Sequence, residues 1–200
     1  DQCALFEESI KYFANIITPF SAILRKKIDE LVALNLPIEI IAPSHGVIWR
    51  DQPMEIVKRY AKWANDYKEN QITIIYDTMW NGTKVLAEKI AEGIYEKDQN
   101  LVVKVFNLAK SDKNDLATEV FKSKAILIGS PTIANSASPS TVGFLHLLKG
   151  LRFKGKKAAS FGCYGWSGES VKVLNELLQE AGFEVINEGY RTQWEPSLKA

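Results

Sequence analysis

Residues 71–96 read QITIIYDTMWNGTKVLAEKIAEGIYE, and this stretch decides the fold. Gln71–Tyr76 is a β-branched apolar run too short for an ordinary helix, so it reads as a buried strand. From Asn81 to Glu96, Val85, Leu86, Ile90 and Ile94 recur at helical spacing. Between the two lies DTMWNGT, a short polar loop that passes straight from strand to helix. Hydroxyls at Thr78 and Thr83, the Asn81 amide and the free N–H groups of a helix start can cradle a phosphate. The loop has neither the lysine of a P-loop nor the G-x-G-x-x-G of a dinucleotide fold. Taken alone, it also reads as a strand-to-helix turn with ordinary capping residues.

The same alternation continues towards the C-terminus. Leu101–Phe106, Lys124–Gly129 and Lys157–Gly162 read as strands, and Phe183–Ile186 begins a fifth. Helices are expected over Asp112–Phe121 with Ser111 as N-cap, over Pro139–Leu148, and over Ser167–Ala181 closed by Gly182. Regular βαβ alternation points to an α/β fold, a doubly wound parallel sheet with helices on both faces. Such sheets bind ligands beyond the carboxyl ends of their strands. Two further loops sit at such ends. Gly129-Ser130-Pro131-Thr132-Ile133-Ala134-Asn135 offers small polar groups and amides to the rim of a planar ring, or is simply a polar turn. Gly162-Cys163-Tyr164-Gly165-Trp166-Ser167-Gly168 has three glycines, which let backbone approach a flat ligand, and two aromatic rings for stacking.

Residues 1–70 break the alternation. Leu5–Ile17 and Phe20–Leu34 read as helices separated around Pro19. Pro37–Ala42 is a short strand candidate leading into Pro43-Ser44-His45-Gly46, and Pro53 suits the first turn of a helix running to about Tyr67. This half reads as the tail of another domain or a docking module.

The 25 basic and 24 acidic residues leave a net charge of +1, which gives no electrostatic case for nucleic acid. No apolar run approaches the ~20 residues that span a bilayer, so neither nucleic acid nor a membrane is an expected partner. The two cysteines, Cys3 and Cys163, lack metal-ligand spacing and do not make a disulfide framework, which favours a reducing compartment and a cytoplasmic location.

Taken together, YDTMWNGT (76–83), GSPTIAN (129–135) and FGCYGWSG (161–168) resemble the A-type flavoproteins, or flavodiiron proteins. The first loop resembles the T-x-T-G-N-T phosphate loop of flavodoxins in altered form. FEESIKYFANIITPF (6–20) and IIAPSHGVIWRD (40–51) resemble the closing helices and last metal-ligand loop of that family's metallo-β-lactamase-like diiron domain. The resemblance implies a mostly helical remnant of that domain over residues 1–70. A flavodoxin-like domain, strand order 2-1-3-4-5, would then occupy 71–200 and bind FMN. Thr78, Met79, Trp80, Asn81, Gly82 and Thr83 would wrap the phosphate. Ser130, Pro131, Thr132 and Asn135 would edge the ring and ribityl chain, and Tyr164, Gly165, Trp166 and Gly168 would close over the ring. Cys163 stands where a small hydroxyl residue is expected and is a candidate for redox side chemistry.

His45 matches the family's final iron-ligand histidine. The other ligands would lie upstream of this chain, so either it is a fragment, the C-terminal portion of a longer protein that holds the diiron centre, or a partner chain supplies the rest of that site. His146 reads as a solvated or partly packed side chain. After the fifth strand only WEPSLKA follows, where a flavodoxin continues into a last helix. The family passes electrons through FMN to reduce nitric oxide or dioxygen, takes them from a rubredoxin or rubredoxin-like donor, and forms a head-to-tail homodimer. The loops also admit a stand-alone FMN-dependent NAD(P)H:quinone or flavin reductase, which leaves residues 1–50 unexplained, or a docking module that has lost its flavin.

Overall fold

The computed structural model describes residues 2–194 and residue 196. The chain divides into two compact units, Asp1–Tyr67 and Lys68–Ala200.

In the second unit six strands form one parallel sheet. The strands are β1 (Gln71–Tyr76), β2 (Val102–Asn107), β3 (Ala125–Gly129), β6 (Lys157–Tyr164), β7 (Glu184–Val185) and β8 (Tyr190–Gln193). Two further short strands, β4 (Thr132–Ile133) and β5 (Ser136–Ala137), form a separate antiparallel pair. The order is β2-β1-β3-β6-β7, with β8 also beside β6, so the expected 2-1-3-4-5 winding is present. Helices α4 (Gly82–Lys97), α5 (Lys113–Lys122), α6 (Pro139–Leu151) and α7 (Ser170–Glu180) make the crossovers. Ile74, Ile126, Ile128 and Phe161 from the sheet are fully buried, as are Leu116, Phe144, Leu148, Leu174 and Leu178 from the helices. Each contributes roughly 1.5–3 kcal/mol relative to exposure.

Register sets where a ligand can bind. Tyr76 lies level with Asn107 and Gly129, and Gly129 with Phe161. The strands on either side of the switch point therefore release their loops at the same edge. Gly162 follows directly, and a Cβ there would meet the Ser130 carbonyl oxygen at 2.4 Å. Only glycine lets β6 and the loop after β3 approach this closely.

The fifth strand differs from expectation. Only Glu184–Val185 pair at the start of β6. The chain then leaves the sheet, turns at Gly189 with φ +85°, and rejoins β6 as β8 opposite Phe161–Tyr164. Helix α5 is capped by Asp112 rather than Ser111. The Asp112 carboxylate accepts the Asn114 and Asp115 N–H groups, while Ser111 donates to the Asn107 carbonyl. Helix α7 begins at Ser170 rather than Ser167, leaving the glycine-rich loop outside it. The expectation of a missing last helix falls on residues that, Pro196 aside, lie outside the described ones.

In the first unit, α1 (Gln2–Tyr12) runs through a π-helical turn (Phe13–Ile17) and a 3-10 turn (Thr18–Phe20) into α2 (Ser21–Ala33). Thr18 sits at this junction, and its hydroxyl bonds back to the Phe13 and Ala14 carbonyls. Helix α3 (Met54–Trp63) stops short of Tyr67, with Asp66 turned to φ +45°. Phe13 is fully buried, edge-on to Tyr60 at 5.2 Å and close to Trp63 at 5.6 Å. Pro37–Ala42 is not a strand. It makes one antiparallel bridge, Ile41 to Trp49, because a strand needs a neighbouring ladder to satisfy its backbone.

Candidate functional site

At the carboxyl edge of the sheet the three loops enclose a cavity of about 720 Å³, within the range of small-molecule sites. The first loop contributes Thr78, Met79, Trp80, Gly82 and Thr83, and the second Pro131, Thr132 and Asn135. Cys163, Tyr164, Gly165 and Trp166 come from the third. Three other proposed positions do not line it. Asn81 precedes α4 in the left-handed conformation. Ser130 is fully buried, and its hydroxyl is occupied by the Pro131 carbonyl and the Ser138 N–H. Gly168 leaves room for the Tyr164 ring and Arg191, each 3.1 Å from where its Cβ would be.

Two polar atoms in the first loop have no internal account. The hydroxyl oxygens of Thr78 and Thr83 are buried without a hydrogen-bond partner among the described residues. An orphaned buried hydroxyl costs roughly 1–3 kcal/mol. Thr83 stands in the first turn of α4 and Thr78 in the loop that leads into it, and the free N–H groups and dipole of the helix start favour an anion. This donor set fits a phosphate held without a cation.

The loops are tied together from behind. Asp77, at the foot of the first loop, accepts the Thr78 N–H at 2.8 Å and a short bond from the Ser140 hydroxyl at the start of α6. Thr132 bonds Ser170 at the start of α7, 3.0 Å apart. Burial pushes the Cys163 thiol up to about 11. The neighbouring Thr83 hydroxyl acts in the opposite direction as the lesser influence, in a contact that falls short of hydrogen-bond geometry. The shift disfavours the thiolate that redox side chemistry at this position would use.

Sequence reasoning missed Ile133, Ala134, Ser167 and Trp194, which also line the cavity. Ala134 and Asn135 both have positive φ at the tip of the β4–β5 hairpin, the pattern of a type I′ turn. An Ala-Asn tip carries no glycine signal, which is why it read as plain loop.

The Flavodoxin family model matches residues 74–199. The chain belongs to the flavodoxin family. Over all 200 residues it is 50% identical to the anaerobic nitric oxide reductase flavorubredoxin of Salmonella arizonae, of which it spans 42%. Among solved structures, the rubredoxin oxygen:oxidoreductase of Desulfovibrio gigas superposes with a TM-score of 0.89 at 34% identity. That superposition covers 94% of this chain and 47% of the other. The flavodiiron protein from Giardia intestinalis gives 0.86 at 29% identity, over 94% of this chain and 46% of that one. The chain thus spans less than half the length of the relatives it matches, and it fits the C-terminal portion of a flavodiiron protein. The flavodoxin domain of such proteins binds FMN, and their diiron centre belongs to the other domain.

In the first unit, His45 tilts against the Tyr12 ring at 6.0 Å and lines a separate cavity of about 740 Å³ with Trp49 and Tyr60. Burial, with Tyr12 second, raises the pKa of the Tyr60 phenol. Among the described residues no group of three or more His, Cys, Asp or Glu side chains could hold a metal ion. His146 is exposed on α6 and lies outside the three-loop cavity. No described helix is long and apolar enough to cross a membrane.

Proposed function

We propose that this chain is the flavin-bearing portion of a flavodiiron nitric oxide or dioxygen reductase. The observation that carries the reading is two buried hydroxyls, Thr78 in the loop before α4 and Thr83 in its first turn, that have no hydrogen-bond partner among the described residues, inside a cavity that two other loops also line. In this reading residues 78–83 hold the FMN phosphate. Pro131, Thr132 and Asn135 edge the ring and ribityl chain, with Ser130 supporting them from beneath. Cys163, Tyr164, Gly165 and Trp166 flank the ring, and Gly168 lets Tyr164 fold over. Bound FMN supplies one- and two-electron transfer. The protein's part is to position the cofactor and exclude water, and no side chain here need act as acid or base.

Residues 1–70 are, on the same proposal, the closing part of a metallo-β-lactamase-like diiron domain, with His45 as one iron ligand of the longer protein. In support, Ile16, Phe20, Ile23, Leu34 and Leu36 are all more than half exposed. So much apolar surface marks a face that another element covers. We place the longer protein in the cytoplasm as a head-to-tail dimer that receives electrons from a rubredoxin or a rubredoxin-like module.

Two measurements test this. The purified chain should bind FMN in a 1:1 ratio, and a colourless chain that refuses added FMN overturns the assignment. The longer protein should oxidise NADH only through a rubredoxin and its reductase. Direct NADH turnover without a carrier would instead favour a stand-alone quinone or flavin reductase.

A further inference from the structure

Trp194 directly follows β8 in a conformation that bulky residues avoid. Its φ is +59°, and among the described non-glycine residues with positive φ it is the aromatic one. Left-handed backbone at a non-glycine, non-Asn position is uncommon, and such outliers gather at ligand sites where the surrounding structure enforces them. Three contacts enforce this one. The Trp194 N–H donates to the Tyr164 carbonyl at 2.8 Å. The adjacent Gln193 side chain donates to the Gly165 carbonyl at 2.9 Å. The Trp194 ring then lies over Gly165, where a Cβ would stand 3.1 Å from its Cη2 and Cζ3 atoms.

This backbone turn has a visible result. The indole is carried onto the rim of the three-loop cavity, where it meets Trp166 edge-on, ring centres 5.6 Å apart and planes at 66°. Both rings remain open, with Trp194 60% and Trp166 91% exposed. Two large apolar faces beside a cavity are costly in water and productive against a flat ligand.

We propose that Trp194 is a ring-binding wall of the flavin site. Its strained backbone is retained because it aims the indole at the cavity and props Trp166 across the glycine loop. The proposal rests on the FMN reading given above. It assigns Trp194 to the ring rather than to the phosphate, which the Thr78–Thr83 loop holds.

The test uses the 200-residue chain and its Trp194→Ala, Trp194→Phe and Trp194→Gly variants. FMN and riboflavin are titrated by flavin fluorescence, and thermal midpoints are measured without flavin. Ala and Gly should weaken FMN about tenfold and riboflavin by the same factor, since the lost contact is with the ring. Phe should stay within about threefold of the parent. Glycine accepts a positive φ at no steric cost, so the flavin-free Gly variant should melt no lower than the Ala variant. Unchanged FMN affinity in Ala and Gly, or a loss confined to FMN and absent with riboflavin, overturns the role of Trp194. A parent chain that binds neither flavin overturns the FMN reading itself.

Discussion

At the residue scale, the sharpest feature is a hydroxyl with nothing to bond. Thr83 is 1% exposed and its oxygen has no partner among the described residues, so the flavin-free protein bears a cost that a phosphate would remove. Thr83→Val should therefore raise the stability of the flavin-free chain by about 1 kcal/mol. The same change should weaken FMN tenfold or more and leave riboflavin unchanged, as paired denaturation and titration experiments would show. Cys163 gives a second prediction. Its raised pKa means the folded state favours the protonated thiol. The contribution to stability is whole below about pH 9 and is lost as pH rises towards about 11, because unfolding then releases a proton. The parent should lose more stability over that window than Cys163→Ala does. Near pH 7.5 an alkylating reagent should label exposed Cys3 well before Cys163, checked by peptide mass spectrometry. The threonines were legible from residue type and position after a strand. The state of the thiol was not, because burial depends on what packs around it.

At the scale of elements, glycine positions and caps carry the argument. Gly162→Ala would drive a methyl into the Ser130 carbonyl, which fully buried neighbours hold in place. A loss of roughly 1–3 kcal/mol is expected in chemical denaturation. Asp112→Ala should cost about 1 kcal/mol by removing two bonds from the start of α5. Strands β1, β3 and β6 were readable because buried parallel strands are nearly continuous apolar runs, and β2, a partly exposed edge strand, because its run VVKVF is rich in β-branched residues. The broken fifth strand was not. Its two halves are joined by residues 186–189, and their pairing depends on a neighbour, β6, that lies far away in sequence. The same reason explains Pro37–Ala42, a strand-like composition with only the Ile41–Trp49 bridge to pair it.

At the scale of the whole molecule, each unit makes its own prediction. FMN at a hundred times its dissociation constant should add about 2.7 kcal/mol to the unit that binds it. In calorimetry the unfolding of residues 68–200 should move upwards with FMN. Exposed apolar side chains such as Phe20, Ile23 and Leu34 in residues 1–67 should bind the dye ANS in the native chain. A version comprising residues 68–200 should lose most of that signal. The winding order came only with the resemblance to a known family, but the sequence by itself determined the α/β class and the three loops that hold the cavity. Those rest on local periodicity and on glycine, proline and hydroxyl chemistry, which neighbouring residues specify. Only the tertiary structure decided that Ser130 is spent on internal bonds, that burial raises the pKa of Cys163 and that Trp194 reaches the site. Each depends on distant strands meeting at one edge of the sheet, and no local pattern encodes that meeting.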